Sequence, residues 1–237
     1  MRILGIIPAR SGSKSVPRKN IRQLCGRPLL SYMVEAALKS KIDRTIVSTE
    51  DKEIATIAKE YGAEVPFMRP KELATDTASS LSVLLHALQY VEEKEGWRPD
   101  AVAFLQPTAP FCTSKLIDRA IEMLSNSNVD SVVGVCESEF HPYYMYKKDE
   151  ENNLEEIIKV KNKPLRRQDV PPIFRLTDAP IISRRRYYDK VTVHSPCFNP
   201  KSMKGVAMDR ISAINIDDEF DFLLAELVIK AGLFKLR

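Results

Sequence analysis

Residues 3–8, Ile-Leu-Gly-Ile-Ile-Pro, form an apolar run of strand length that opens directly into Ala9-Arg10-Ser11-Gly12-Ser13-Lys14-Ser15-Val16-Pro17-Arg18-Lys19-Asn20. That loop is rich in small residues and carries four basic side chains, Arg10, Lys14, Arg18 and Lys19, within ten positions. Small residues let backbone N–H groups face an anion, while Arg and Lys neutralise the charge that the amides orient. A strand feeding such a loop is how open α/β sheets hold phosphates, outside the carboxyl ends of their strands. The spelling is neither the P-loop, which closes on Gly-Lys-Ser/Thr, nor the Gly-x-Gly-x-x-Gly dinucleotide loop. Spacing alone leaves two readings open: a phosphate loop or an ordinary basic surface loop.

The rest of the chain alternates short β-branched runs with longer amphipathic stretches. Strands are expected at 3–7, 44–48, 64–67, 101–105 and 131–136, and helices at 29–39, 52–61, 80–93 and 115–125. In the third helix Leu81, Leu84, Leu85 and Leu88 share one face. Asp51 is placed to cap the second helix and Gly62 to stop it. Such alternation predicts an α/β fold of three layers, a mostly parallel sheet with helices on both faces. The rhythm breaks at Lys147-Lys148-Asp149-Glu150-Glu151-Asn152-Asn153, a polar tract that reads as a hairpin tip between strands at 143–146 and 157–160. A final amphipathic helix is expected at 220–231.

The length of 237 residues suits one large domain, expected here over 1–237. No apolar run approaches the roughly 18 residues that suggest a membrane helix. The first run is short and meets Pro8 and Arg10, which suits a strand better than a signal peptide. Cys25, Cys112, Cys136 and Cys197 have no metal-ligand spacing and read as reduced thiols of a cytoplasmic protein. A net charge of +4 fits small anionic ligands. Nucleic acid is disfavoured, since no recognition motif accompanies Lys159-Val160-Lys161 or Arg184-Arg185-Arg186. The arginine run reads as a solvated basic patch.

The opening stretch resembles the nucleotide signature of the acylneuraminate cytidylyltransferase family, the CMP-sialic acid synthetases and their relatives. Five more segments continue the resemblance in order: Arg69-Pro70-Lys71-Glu72-Leu73-Ala74-Thr75-Asp76-Thr77-Ala78-Ser79-Ser80, Leu105-Gln106-Pro107-Thr108-Ala109-Pro110, His141-Pro142, Arg166-Arg167-Gln168-Asp169 with Phe174-Arg175, and Ile216-Asp217-Asp218-Glu219-Phe220-Asp221. The resemblance implies a glycosyltransferase-A-like nucleotidyltransferase fold and a reaction in which a sugar acid's anomeric hydroxyl attacks the α-phosphorus of CTP, expelling pyrophosphate. It also implies magnesium, and a homodimer formed through an excursion over 138–180. No nucleic acid and no membrane is expected as a partner.

Carried over residue by residue, the resemblance gives Arg10, Lys14 and Lys19 to the triphosphate, with Ser13 adding a hydroxyl and Asn20 holding the ribose or the loop. A solvent-facing lysine is the plain alternative for Lys19. Main-chain groups around Pro8 and Ala9 would meet the base, with Arg69 approaching it and Ala78 and Ser80 packing the nucleoside. Without the resemblance, Arg69 before Pro70 reads as a loop residue bonded to carbonyls. Asp76 is expected to cap the helix starting near Ser79. Gln106 ends a buried strand at the sheet's carboxyl edge, where a carboxamide can grip a polyol and its carboxylate; a loop glutamine bonded to backbone is its alternative. Arg167 and Arg175 would meet the sugar carboxylate. Catalysis would fall to Arg10, Lys14, Gln106 and Asp217.

Two departures stand out. The sialic acid branch typically has aspartates two positions apart in its closing motif, where this chain has Asn215 and Asp217. Asp217 is the expected magnesium ligand, and Asn215 offers an uncharged oxygen. After Phe174-Arg175 the family commonly runs Asn-Gly-Ala, whereas this chain runs Leu176-Thr177-Asp178-Ala179-Pro180. That points to a sugar other than ordinary N-acetylneuraminate. The rival readings are a nucleotidyltransferase for another sugar or base, and a nucleotide-binding protein without catalysis.

Overall fold

The computed structural model describes residues 1–164, 166–192 and 194–234, with the Arg167 side chain outside the described set. In chain order the elements are β1 (Ile3–Pro8), β2 (Gln23–Leu24), β3 (Arg27–Pro28), α1 (Leu29–Leu38), β4 (Arg44–Ser48), α2 (Lys52–Glu60) and α3 (Ser80–Glu95). They continue as β5 (Ala101–Phe104), α4 (Ser114–Ser125), β6 (Ser131–Glu137), β7 (Tyr146–Lys148), β8 (Leu154–Glu156), β9 (Phe174–Arg184), α5 (Arg185–Tyr188), β10 (Met203–Met208) and α6 (Glu219–Lys230).

Six strands form one sheet in the order β10-β6-β9-β5-β1-β4. Strand β1 lies parallel to β4 and β5, and β10 lies parallel to β6, while β9 runs antiparallel between β5 and β6. The expected mostly parallel α/β sheet is therefore present, with one reversed strand. Strand alternation sorts the core: Ile3, Ile7, Ala101 and Ala103 face α1, α2 and α4, while Leu4, Ile6, Val102 and Phe104 face α3. Strands covered on both faces need apolar side chains on both, which is why β1 reads as a continuous apolar run. A third cluster holds α6 against the β2–β3 turn through Phe222, Leu24, Leu29 and Phe111.

Asp51 caps α2 as expected, its carboxylate accepting from Glu53 and Ile54 N–H, and Gly62 follows at φ +92°. Residues 64–67 form no strand; only Glu64 bridges Ile46, because Pro66 has no donor to continue a ladder. The hairpin strands lie nearer the tip than expected. His141 Nδ1 accepts from Tyr143 N–H at 3.2 Å and starts a 3-10 turn at Pro142. At the other end the Asp149 carboxylate accepts from Glu151 and Asn153 N–H and tightens the tip. The chain leaves the main sheet after Glu137 and is back on it at Phe174, so it rejoins before residue 180.

The arginine run is not a solvated patch. Arg184 donates to the Leu124, Ser127 and Val129 carbonyls, Arg185 pairs with Glu92 and Asp189, and Arg186 pairs with Asp130. These bonds tie the end of β9 to the end of α4 and to α3. Strands β6 and β9 approach closely at Gly134, where a Cβ would lie 2.8 Å from Met208 Sδ and 2.9 Å from Ala179 O. The register between these strands shifts there, between Val133 and Val135.

Candidate active site

The loop after β1 is stitched down from both sides. Ala9 N–H donates to Ser48 C=O at 3.0 Å, which engages the Ala9 amide within the sheet. Asn20 Nδ2 donates to Arg10 C=O at 2.9 Å, and Lys19 Nζ to Ile216 C=O at 2.8 Å. Ser15 Oγ donates to Asp217 C=O. Arg18 takes a left-handed conformation, φ 51°, and turns away to pair with Glu53 at 2.6 Å. Three of the loop's four basic residues thus face one cleft, of about 640 Å³.

Pro8, Arg10, Ser13, Lys14, Lys19 and Asn20 line one side of this cleft. Arg69 and Ala78 line it from the segment before α3 and Ser80 from its first residue, with Gln106 just after β5 and Asp217 just before α6. Asp76 sits in its mouth, accepting Arg10 and Lys14 at 2.7 Å each. Those two donors, Lys14 first, hold the Asp76 carboxyl below the usual carboxylate range. Asp76 is therefore not the helix cap; Ser79 is, accepting from Ser82 N–H. Nothing geometric hinders this, since Ser79 directly precedes α3 and Asp76 lies a turn too far back.

Arg69 is nearly enclosed, its side chain 3% exposed and paired with Glu50 at 3.2 Å. Burial lowers its pKa, and the Glu50 charge opposes that shift. Its backbone N–H donates to Thr49 C=O at 2.7 Å, and its buried Nε has no partner. Glu50 also accepts from Ser11 N–H and Ser11 Oγ, at 2.7 and 2.8 Å.

On the opposite wall the half-buried Gln106 carboxamide makes no hydrogen bond to any described residue. The neighbouring Thr108 C=O accepts from Ile216 N–H at 2.8 Å, which pins the closing segment beside it. Asn215 Nδ2 donates to Asp217 Oδ2 at 2.8 Å, leaving the Asn215 Oδ1 buried and unpartnered. Asp218 and Asp221 form a reciprocal cap on α6, so their carboxylates are engaged there. Among the described residues no group of three or more His, Cys, Asp or Glu side chains is arranged to hold a metal. Arg175 is exposed and donates to Ala213 C=O at 2.9 Å, outside the cleft lining. Arg167 falls in the short turn Arg167–Asp169, and its side chain lies outside the described set.

Two acids here carry no signal in local sequence. Asp178 on β9 accepts from Thr108 Oγ1 at 3.4 Å, and burial, then the Asp217 charge, raise its pKa. Burial likewise lowers the Lys19 ammonium, against the pull of Asp217 and Asp178. Glu50 follows β4, whose carboxyl end lies beside that of β1. The pairing of adjacent strand ends is the signal that points to it. The cleft as a whole brings three cations, two of them paired to Asp76 in its mouth and the third beside Asp217, together with an unengaged carboxamide, which suits a polyanion and a polar second reactant.

The family described as Cytidylyltransferase matches residues 4–175. The CMP-N,N'-diacetyllegionaminic acid synthase of Legionella pneumophila is 34% identical over 97% of both chains. An N-acylneuraminate cytidylyltransferase of Escherichia coli is 34% identical over 94% of this chain and 51% of its own length. A pseudaminic acid cytidylyltransferase of Campylobacter jejuni is 36% identical over 72% of this chain and 73% of its own. Among solved structures, a CMP:2-keto-3-deoxy-manno-octonic acid synthetase complexed with CTP matches the fold with TM-score 0.72, at 12% identity over 98% of this chain and all of that one. The 4-diphosphocytidyl-2C-methyl-D-erythritol synthase of Anaerococcus prevotii matches with TM-score 0.65, at 16% identity over 97% and 98%. The fold is that of the nucleotidyltransferases. The chain belongs to the cytidylyltransferase family, and is an enzyme of that class.

Proposed function

We propose that this enzyme joins CMP, from CTP, to a nine-carbon 2-keto-3-deoxy sugar acid of the sialic type and releases pyrophosphate. The carrying observation is the convergence of Arg10, Lys14 and Lys19 with Gln106 and Asp217 on one cleft at the sheet's carboxyl edge. In nucleotidyl transfer the protein chiefly positions reactants and stabilises charge on phosphate oxygens. Arg10 and Lys14 take the departing phosphates and displace Asp76, which occupies their charge beforehand. Lys19 lies deeper, beside Asp217, where it neutralises charge nearer the α-phosphorus. By analogy with loss of an oxyanion donor, removing one such cation costs about 2.7–4 kcal/mol of transition-state stabilisation. Arg69, Ala78 and Ser80 hold the nucleoside, and Gln106 meets the acceptor; Arg175 would reach its carboxylate by releasing Ala213 C=O.

Magnesium fits this donor set. Asp217, which lines the cleft, would hold the ion together with phosphate oxygens and water, and Asn215 Oδ1, buried and unpartnered, would join it by a turn of the amide whose Nδ2 now faces Asp217. When bound, it would supply charge neutralisation and lower the pKa of a coordinated hydroxyl. Asp218 and Asp221 are engaged in capping α6, which leaves Asp217 as the carboxylate of this segment available to the ion.

The segment away from the sheet exposes Phe140, Leu154, Ile157 and Ile158. A patch of this kind supports a homodimer formed through the excursion. The described cysteines are all free thiols, which supports a cytoplasmic setting, and no described helix is long and apolar enough to cross a membrane. The relatives are named for legionaminic, acylneuraminic and pseudaminic acids, and Asp178 with Pro180 favours a modified sugar over N-acetylneuraminate. Pyrophosphate release with each NTP and magnesium, across N-acetylneuraminate, legionaminate, pseudaminate and 3-deoxy-manno-octulosonate, tests the assignment. CTP with a nine-carbon acid should turn over fastest. Release with another NTP alone, or none with any acid, would refute it.

A further inference from the structure

Strands β1 and β4 are parallel neighbours, so their carboxyl ends open on the same edge of the sheet. From the end of β4, Ser48 C=O holds Ala9 N–H and Thr49 C=O holds Arg69 N–H. The Glu50 carboxylate repeats this double grip through side chains. One oxygen accepts both Ser11 N–H and Ser11 Oγ, at 2.7 and 2.8 Å, and the other accepts the Arg69 guanidinium at 3.2 Å. Side-chain exposures of 12% for Glu50 and 3% for Arg69 leave water little room to replace either contact. A carboxylate accepts at both oxygens, whereas an amide must turn its NH2 toward either the Arg69 guanidinium or Ser11 N–H, and both are donors. Arg69 Nε, buried and without a partner, is left as a free donor on the same side chain.

We propose that Glu50 is a positioning residue: it locks Arg69 in register with the phosphate loop, so that nucleoside and triphosphate are bound as one unit. The inference rests on the nucleotide reading of the cleft. Without Glu50, the loop keeps Arg10 and Lys14, but Arg69 loses its ion-pair partner among the described residues. Triphosphate recognition should then survive while the added affinity of the nucleoside is lost.

The test is calorimetric titration of wild type and Glu50→Gln with CTP and with inorganic triphosphate, at one salt and magnesium concentration, alongside melting temperatures. Glu50→Gln should weaken CTP by about tenfold or more, the scale of one charge-assisted hydrogen bond, and triphosphate by less than about threefold. A structural role alone would weaken both alike, and equal weakening or no weakening overturns the proposal. If Glu50→Gln fails to fold, Ser11→Ala, Arg69→Lys and their double variant test the same link, since Glu50 joins these residues. Their effects on CTP affinity should be non-additive by about threefold or more; additive effects overturn the proposal. Absence of CTP binding by wild type removes the nucleotide reading and this inference with it. Binding by wild type with an unchanged CTP-to-triphosphate ratio in Glu50→Gln overturns the Glu50 role alone.

Discussion

Substituting Asn215→Asp changes one atom pair and reverses its sign. In the native chain Asn215 Nδ2 donates to Asp217 Oδ2 at 2.8 Å, and Asn215 Oδ1 has no partner. The variant sets two carboxylates at the same separation. Coulomb repulsion at that distance is about 1.5 kcal/mol in bulk water and about 6 kcal/mol at the effective dielectric of a protein surface. Exposure of Asp217 holds the cost toward the lower figure. Without metal the variant carries that repulsion uncompensated at neutral pH. A divalent cation removes the repulsion and gains a second charged ligand. Each 1.4 kcal/mol is a tenfold change, so magnesium half-saturation should fall by about tenfold. The assay is a magnesium titration by calorimetry, with melting curves at neutral pH with and without the ion. The variant should melt below wild type without magnesium and gain more from its addition. Equal magnesium affinity in the two proteins, or weaker affinity in the variant, would refute the placement of the ion at residues 215 and 217.

Arg10→Ala and Lys14→Ala should each lower kcat by about a hundredfold or more with melting temperature unchanged, since both side chains lie on a loop; near-normal rates at saturating CTP would remove the loop from the reaction. Gln106→Ala should raise the KM for the sugar acid and leave CTP affinity alone, as initial rates with each substrate varied would reveal; the reverse split would exchange its assignment. Burial and Asp217 raise the folded-state pKa of Asp178. Its stabilising contribution is therefore full below the unfolded aspartate value of about 4 and is lost as pH rises through the folded value. Asp178→Asn should melt higher than wild type at neutral pH, with the gain vanishing toward pH about 4; a gain independent of pH would contradict this origin. Gly134→Ala must push against Met208 and Ala179 O, and should lower unfolding free energy by about 1–3 kcal/mol in urea titration; an unchanged midpoint would contradict the close approach of β6 and β9.

The legible parts of the fold were those set by local pattern. Strand β1, its loop and the helices α1 to α4 announce themselves through apolar runs, helical spacing and the Asp51 cap. Strand β9 does not. Asp178 and Pro180 interrupt its pattern, and a proline argues against a central strand. The chain accommodates them at the shift between Val133 and Val135, where β6 does not pair with residues 177–180. Strand β10, Met203–Met208, lies at the sheet edge with four of six residues exposed, so it lacks an apolar run. The Arg184–186 run looked like surface charge because its partners, Glu92, Asp130 and the α4 carbonyls, are more than fifty residues away. Glu50 and Asp178 share that difficulty. Their roles depend on which strand ends become neighbours, which one sequence read locally does not specify.

Phosphorus NMR of a single reaction reads the proposed transfer at the α-phosphorus of CTP onto a sugar acid atom by atom. Enzyme, CTP, magnesium and a nine-carbon 2-keto-3-deoxy acid should convert the three CTP resonances into pyrophosphate and one new phosphodiester signal, in equal molar amounts. Unchanged CTP, or orthophosphate without a phosphodiester, would contradict the account.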